Sequence, residues 1–317
     1  MHKKRDFLAG LFVCYSLLII HCSVSYAMGG TPPPTQEVEA PPTTSEEALA
    51  KRQVDNLKNI SINSQSVREG YEKFLKDVTS GKKYLYEFND VAKKKLIKDV
   101  LDKKQDWKYR FAIISALSPD DPPEAFDIRV TILEDKSERI DLRRIAIGSI
   151  ASTKIQSRKA GAVSILIGAL KDDDDDIAGS AANGLGSLKD ISSISPLIDA
   201  MKLSRERYKK LLRSGWDDYK NGSTNAGMRL CNEMRALGAI KAKEAIPLLI
   251  EVMSDLDFDH ASDLDSINGF AAMALGEIGD TAALPAINKV LEEKKYKSHI
   301  GTYDALHIAK EKIQKGK

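Results

Sequence analysis

Three stretches of the chain carry side chains whose types and spacing suggest chemistry. In the first, Lys171 is followed by five consecutive aspartates, Asp172 to Asp176. The second places Asp255, Asp257, Asp259, Asp263 and Asp265 around His260. Dense carboxylates suit a hard cation such as calcium, whose helix-flanked loops use oxygen ligands at alternate positions, a glycine at position six and a carboxylate at position twelve. Counted from Asp172, those two positions hold Ile177 and Asn183; counted from Asp255 they hold His260 and Ser266. Neither run fits, and no metal ligand is assigned. The first run reads as a helix start, with Asp175 or Asp176 as the cap and the other carboxylates solvated near the positive end of the helix. Weak calcium binding by these turns is the alternative.

The third stretch runs from Leu203 to Thr224. It is basic at first, with Arg205, Arg207, Lys209, Lys210 and Arg213, then aromatic and turn-like, with Trp216, Tyr219 and Asn221-Gly222. One reading is a helix extension with a solvated face. Another is a partner contact, for which Arg205, Arg207, Arg213, Trp216 and Tyr219 are the candidates, because aromatic and arginine anchors dominate protein interfaces. Lying between two acidic turns, the basic arm has a third option, docking within the chain. His299 and His307 are eight apart on one predicted helix, too far to share a metal, and take surface or packing roles. Cys231 lies among Met228, Leu230 and Met234 and reads as a buried small hydrophobe. No nucleophile triad, phosphate loop or zinc spacing stands out, so no catalytic or cofactor-binding residue is assigned and no cofactor is expected.

The elements that position these side chains follow from a repeated phrase. Ala236-Leu237-Gly238-Ala239-Ile240 precedes Ile246-Pro247-Leu248-Leu249, and Ala274-Leu275-Gly276-Glu277-Ile278 precedes Leu284-Pro285-Ala286-Ile287. A helix closes, a tight turn follows, and a second helix opens with proline in its first turn, where its missing N–H costs nothing. The closing positions Leu117, Ile150, Leu185, Leu237 and Leu275 lie 33, 35, 52 and 38 residues apart, a period near 34 with insertions. Each interval splits into an A and a B helix: 123–134 with 140–151, 158–170 with 176–188, 193–212 with 225–237, 243–253 with 267–278, and 282–293 with 300–313. Trp107 to Leu117 is the B helix of a partial first pair. Apolar residues such as Ile246, Leu249, Ile250 and Met253 give each helix one stripe, which only stacking against a neighbour can bury. Ala178, Ala181, Ala182, Gly184 and Gly186, and Ala271, Ala272, Ala274 and Gly276, mark close helix contacts.

Upstream, helices are expected over about Ser45–Asn59 and Ser66–Val78, each opened by a capping box, Thr44-x-x-Glu47 and Ser66-x-x-Glu69. A third covers Leu85–Leu101, with Phe88, Val91, Ala92, Leu96, Ile97 and Val100 on one face. Residues 45–104 thus form an N-terminal helical cap and 105–317 the repeat array. Residues 28–44 read as a Pro/Thr-rich linker without a core.

At the N-terminus a basic start (Lys3, Lys4, Arg5), an apolar run from Phe7 to Ile20 and Ser25-Tyr26-Ala27 read as a signal peptide over 1–27. An uncleaved anchor is the alternative, and only then is a membrane contact expected. Removing those three basic residues and one acidic residue from 48 and 46 leaves 45 of each. A neutral exported chain is not expected to bind nucleic acid, which needs a basic surface. With Cys14 and Cys22 in the signal, only Cys231 remains and no internal disulfide forms.

The residues Ser195-Pro196-Leu197-Ile198, Ala181-Ala182-Asn183-Gly184-Leu185-Gly186, Ile246-Pro247-Leu248-Leu249, Ala271 to Gly279 and Leu284-Pro285-Ala286-Ile287 resemble the HEAT family, in particular the short HEAT-like repeats of phycobilin lyases. The resemblance covers about Trp107 to the C-terminus. It implies an all-α solenoid of antiparallel helix pairs, about six repeats, curved and binding proteins on its concave face. The usual Val-Arg near the start of a B helix is missing after Asp176, where Ile177-Ala178 stands, and insertions interrupt the fourth and fifth repeats. HEAT-like hydroxylases that hold iron need paired His-Glu dipeptides, which His260, His299 and His307 do not supply. The expected function is a non-catalytic protein- or peptide-binding scaffold in the cell envelope, periplasmic or secreted. The alternatives are a lyase-type enzyme or enzyme subunit, and a calcium-responsive envelope module.

Overall fold

A computed structural model of the chain describes residues 46–63, 88–120, 122–213, 216–255, 267–293 and 300–316, and for 216–224 and 300 the backbone alone. The expected signal peptide, the linker, the capping residue Thr44, the 66–78 helix, the turn at 256–266 with His260, and His299 lie outside the described residues. Every regular element among these residues is helical. The chain divides into two units, Met1–Lys95 and Leu96–Lys317.

The first unit contains α1 (Glu46–Ile62) and the start of α2 (Asp90–Leu101). Helix α1 buries Ala50, Val54 and Leu57, together with the polar Gln53 and Ser61. Gln53 accepts the backbone N–H of Asn89 at 3.3 Å, and Asn89 in turn donates to the Glu46 carbonyl at 2.9 Å and caps α2 through the Ala92 N–H. Phe88, Ala92, Leu96 and Val100 are buried, whereas Val91 falls off the expected stripe and is exposed. Val91 directly precedes Ala92, and a rotation of about 100° per residue puts neighbours on different faces.

The second unit is a succession of helix pairs. After α2 come α3 (Trp107–Ala116), α4 (Ala125–Glu134), α5 (Ile140–Ala151), α6 (Gln156–Ala169), α7 (Asp175–Leu188), α8 (Ile194–Arg213), α9 (Trp216–Ile240), α10 (Ile246–Met253), α11 (Ile267–Ile278), α12 (Leu284–Glu292) and α13 (Ile300–Lys315). These are the A and B helices read from the repeat, shifted by a few residues at their ends. One difference is larger. The fourth B helix was expected from Asn225, yet α9 starts at Trp216 and carries Asn221-Gly222 inside it. Asparagine and glycine each cost less than about 1 kcal/mol in a helix. The buried stripe Ala226, Leu230, Met234 and Leu237 that follows anchors the same helix and outweighs that local preference.

Three of the A helices open alike. Short 3₁₀ turns at Ile191–Ser193, Lys243–Ala245 and Thr281–Ala283 lead into α8, α10 and α12. Asp190 and Asp280 cap two of them by accepting the N–H two residues on, at 2.9 and 3.0 Å. The preceding B helices end in left-handed residues, Lys189, Lys241 and Gly279.

The B helices form the crowded layer. Successive B helices α5, α7, α9, α11 and α13 pack side by side, and each packs on its own A partner, while contacts between successive A helices are slight. Small residues make this possible: a Cβ on Gly186 would lie 2.9 Å from the Ala236 Cα, one on Gly238 3.1 Å from the Ala274 Cα, and one on Gly276 2.8 Å from the Ala309 Cα. Around them Ala178, Ala181, Ala182, Leu185, Ala271, Ala272 and Leu275 are buried, and so is Cys231.

Candidate functional site

Among the described residues, the edge where A helices turn into B helices holds most of the buried charge, and it is built by arginines of the B helices. The last carbonyls of an A helix lack helical partners and need donors. In α3, Arg110 Nε donates to the Val100 carbonyl at 2.7 Å, and its two terminal nitrogens grip Glu138 at 3.1 and 2.5 Å. In α5, Arg143 repeats the arrangement, with Nε to the Leu133 carbonyl at 2.8 Å and a terminal nitrogen to Asp172 at 2.6 Å. One guanidinium therefore closes its own A helix and binds the next turn.

The third repeat lacks that arginine, as the sequence indicates, and the structure shows what replaces it. Gly179 opens a space at the start of α7, and the backbone of Arg229 from α9 lies against it, 3.2 Å from where a Cβ would be. Arg229 donates to the Leu170 carbonyl at 2.8 Å and to Asp175 at 3.2 Å, taking over the missing duty from the neighbouring repeat. Its Nε binds Glu233, one turn along α9, at 3.0 Å. In the fifth repeat an uncharged side chain does the work: Asn268 donates to the carbonyls of Val252, Met253 and Asp255 at 3.1, 2.9 and 2.9 Å.

The aspartate run is absorbed into this edge. Asp172 pairs with Arg143, Asp173 with Lys136 at 2.9 Å, and Asp175 with both Arg229 and Arg207. The helix cap is Asp174, which accepts the N–H groups of Asp176 and Ile177; it is neither Asp175 nor Asp176. The helix begins one residue earlier than the apolar pattern suggested, so the cap moves with it. Nor are the remaining carboxylates simply solvated. Burial pushes the Asp172 carboxyl up, but the Arg143 guanidinium and the Asp174 N–H more than offset this and hold it below the usual range. Asp176, half-buried on α7 and facing Arg144, is pushed up by burial. Among the described residues no group of three His, Cys, Asp or Glu is placed to hold a metal ion.

The basic arm lies on α8. Arg205 reaches Glu251 at 2.7 Å and Asp255 at 3.1 Å, and Lys209 reaches Asp255 at 2.5 Å. Arg207 turns the other way, to Asp175 at 3.0 Å. The arm is thus both a helix extension and docked within the chain, clasping the acidic turns before and after it. Only 17% of the Arg205 side chain is exposed against 51% for Arg207, so Arg205 is committed to the fold. Arg213 ends α8 on the surface, and Trp216 begins α9 with Tyr219 one turn along it. Their side chains lie outside the described residues.

Helix lengths set this hairpin apart. Ala236, which meets Gly186, lies twenty residues into α9, whereas Gly186 lies eleven into α7. Aligned at that contact, α9 overhangs α7 by about nine residues, or about 13 Å at 1.5 Å per residue. The overhang carries Trp216 and Tyr219.

What the sequence reading missed is the buried pair Arg229 and Glu233. Its signal was present: two charges four apart on the face that also carries Ala226, Leu230 and Met234. His307 is exposed, its ring 4.5 Å from that of Tyr303 and edge-on.

The repeat is recognisable to a family model. That for the PBS lyase HEAT-like repeat matches residues 234–255 and 269–293. These two segments are HEAT-like repeats. The matched HEAT-like repeats begin at the B helix α9 and end at the A helix α12, the region of the doubled Leu-Gly phrase. No curated protein sequence matches the chain. Among solved structures, a designed armadillo repeat protein in complex with the peptide (KR)4 is similar at 17% identity and TM-score 0.36, covering 69% of this chain and 98% of that one. Human deoxyhypusine hydroxylase in complex with glycerol is similar at 13% identity and TM-score 0.33, over 85% and 96%. The complex of CpcE and CpcF of phycocyanin lyase from Nostoc sp. PCC7120 is similar at 19% identity and TM-score 0.29, over 86% and 100%.

Proposed function

We propose that the chain is an exported, non-catalytic scaffold of the cell envelope that binds a protein or peptide through the overhanging α8–α9 hairpin. The observation that carries this reading is the division of labour among the charges. Arg110, Arg143, Arg205 and Arg229 are spent on internal carbonyls and carboxylates. Arg207, though paired with Asp175, keeps half of its side chain exposed, Arg213 ends α8 on the surface, and Trp216 and Tyr219 lie on the part of α9 that extends past the start of α7, where an interface anchor is of use. Arg205 acts here as the clasp that seats the hairpin, and the contact itself falls to Arg207, Arg213, Trp216 and Tyr219. A stack that is stabilised pairwise tolerates such an insertion, since each repeat touches only its neighbours.

A photo-crosslinking residue placed at Tyr219 is expected to yield a discrete adduct in native envelope, whereas the same residue at Gly168, exposed on α6, is not. Equal adducts at both positions would remove the hairpin from the binding site. Export is tested on the same material by mass spectrometry, with Met28 as the expected first residue. A species that keeps Phe7 to Ile20 would favour an anchored chain.

A further inference from the structure

The junction of α7, α8 and α9 buries two carboxylates around one guanidinium. Glu233 has no exposed side-chain surface, and Asp175 and Arg229 are 7% and 10% exposed. Glu233 Oε1 accepts from the Ser204 hydroxyl of α8 at 2.9 Å and from Arg229 Nε at 3.0 Å. Its Oε2 is buried and has no hydrogen-bond partner among the described residues. Arg229 divides itself between Glu233, Asp175 and the Leu170 carbonyl, and the second cation, Arg207, reaches only Asp175 and stands half in solvent. Of the other polar groups on these helices, Tyr208 of α8 lies against Gly227, six positions before Glu233, and Asp176 of α7 faces Arg144. The charged residue of α11, Glu277, lies against Gly238, more than a turn away. If both carboxylates are ionised, the buried cluster carries a net negative charge and one oxygen without a donor. A proton on Glu233 removes that charge, and burying an uncompensated charge is the costlier alternative.

We propose that this junction is a proton-held latch: Glu233 is carried neutral in the seated state, and its ionisation loosens the α8–α9 hairpin from the stack. Ser204–Glu233 is a direct tie between the two helices of the hairpin, and Arg229 ties α9 to α6 and α7, so the carboxyl lies where the hairpin joins the rest. Consistently, burial pushes the Glu233 carboxyl up to about 7, against the opposing pull of Arg229 and Ser204. The ordinary value is 4.5. Between the two values the folded chain keeps a proton that the unfolded chain has lost, so stability falls as pH rises through that window and levels off above it. The latch is independent of whether the hairpin binds a partner.

The test uses the full chain. In a carboxyl-carbon NMR titration, Glu233 is expected to titrate above pH 6; a midpoint below pH 5 would overturn the latch. In thermal melts from pH 5 to pH 8, the wild type is expected to lose on the order of 5 °C more than Glu233→Gln, which keeps the shape of the neutral acid. Parallel pH curves for the two proteins would overturn it as well. Hydrogen exchange, corrected for its intrinsic pH dependence, places the loosening: faster exchange confined to residues of α8 and α9 above pH 7 supports the latch, and uniform change along the chain refutes it. The NMR titration needs no variant and stands even if Glu233→Gln fails to fold.

Discussion

The A and B layers of the same repeats treat an identical residue in opposite ways. Gly161 and Gly168, both in the A helix α6, face open space, and a Cβ on either would meet nothing within 4 Å. Gly186, Gly238 and Gly276, in B helices, face backbone atoms of the next B helix at 2.9, 3.1 and 2.8 Å. Buried charge, by contrast, is found in both layers: Arg110, Arg143 and Arg229 reach from B helices into the interior, and Arg129 of the A helix α4 is buried and donates to the carbonyls of Ile114 and Leu117 at the end of α3. The B layer packs tightly, and it also completes the A layer by supplying donors to the ends of its helices. Close backbone packing is therefore concentrated in the B layer, and glycine substitutions should separate the two layers.

The largest effect is expected where a buried charge of the B layer is compared with an exposed one of the A layer. Arg229→Ala leaves the Leu170 carbonyl without its donor and leaves Asp175 with Arg207 alone and Glu233 with Ser204 alone, and removing one partner of a buried pair costs about 3–5 kcal/mol, read as a lowered denaturation midpoint. Lys202→Ala in the A layer breaks the exposed pair with Asp199 and should change that midpoint by no more than about 0.5 kcal/mol. Comparable losses would break the distinction. Next come the glycines. Gly276→Ala forces backbone apart at Ala309, and overpacking of this kind costs about 1–3 kcal/mol. Gly161→Ala adds a methyl in open space and should instead stabilise the chain by about 0.5–1 kcal/mol through helix propensity. The same sign for both would mean that the layers are equally packed. The smallest effect is at the aspartate run: Asp173→Asn removes the exposed pair with Lys136 and should leave the denaturation midpoint essentially unchanged. Asp175→Asn, losing two arginine contacts at a buried site, should cost clearly more.

Much of this architecture was legible in the sequence because repetition makes it so. The recurring closing positions, three of them Leu-Gly phrases, located five B-helix ends, and the alanine and glycine clusters named the close contacts that the structure contains. Local signals failed where a longer-range contact outweighed them. Asn221-Gly222 reads as a turn but lies inside α9, whose following residues are anchored by burial. Asp175 reads as a cap or a solvated carboxylate but is buried, because Arg229 lies 54 positions away in sequence and nothing near Asp175 announces it. The missing arginine after Asp176 was visible as an irregularity, and its replacement by a residue of the next repeat was not, since spacing within one repeat is silent about its neighbour. The candidate residues divide on the same line. Five positions were grouped by type, and packing separates Arg205, which is committed internally, from Arg207, which stays half exposed.

The most direct test of the binding role is crosslinked capture from native envelope with the wild-type chain and with Trp216→Ala combined with Tyr219→Ala. With helical circular dichroism unchanged, the double variant is expected to lose the crosslinked species that the wild type retains. Undiminished capture of that same species would contradict a hairpin-centred scaffold.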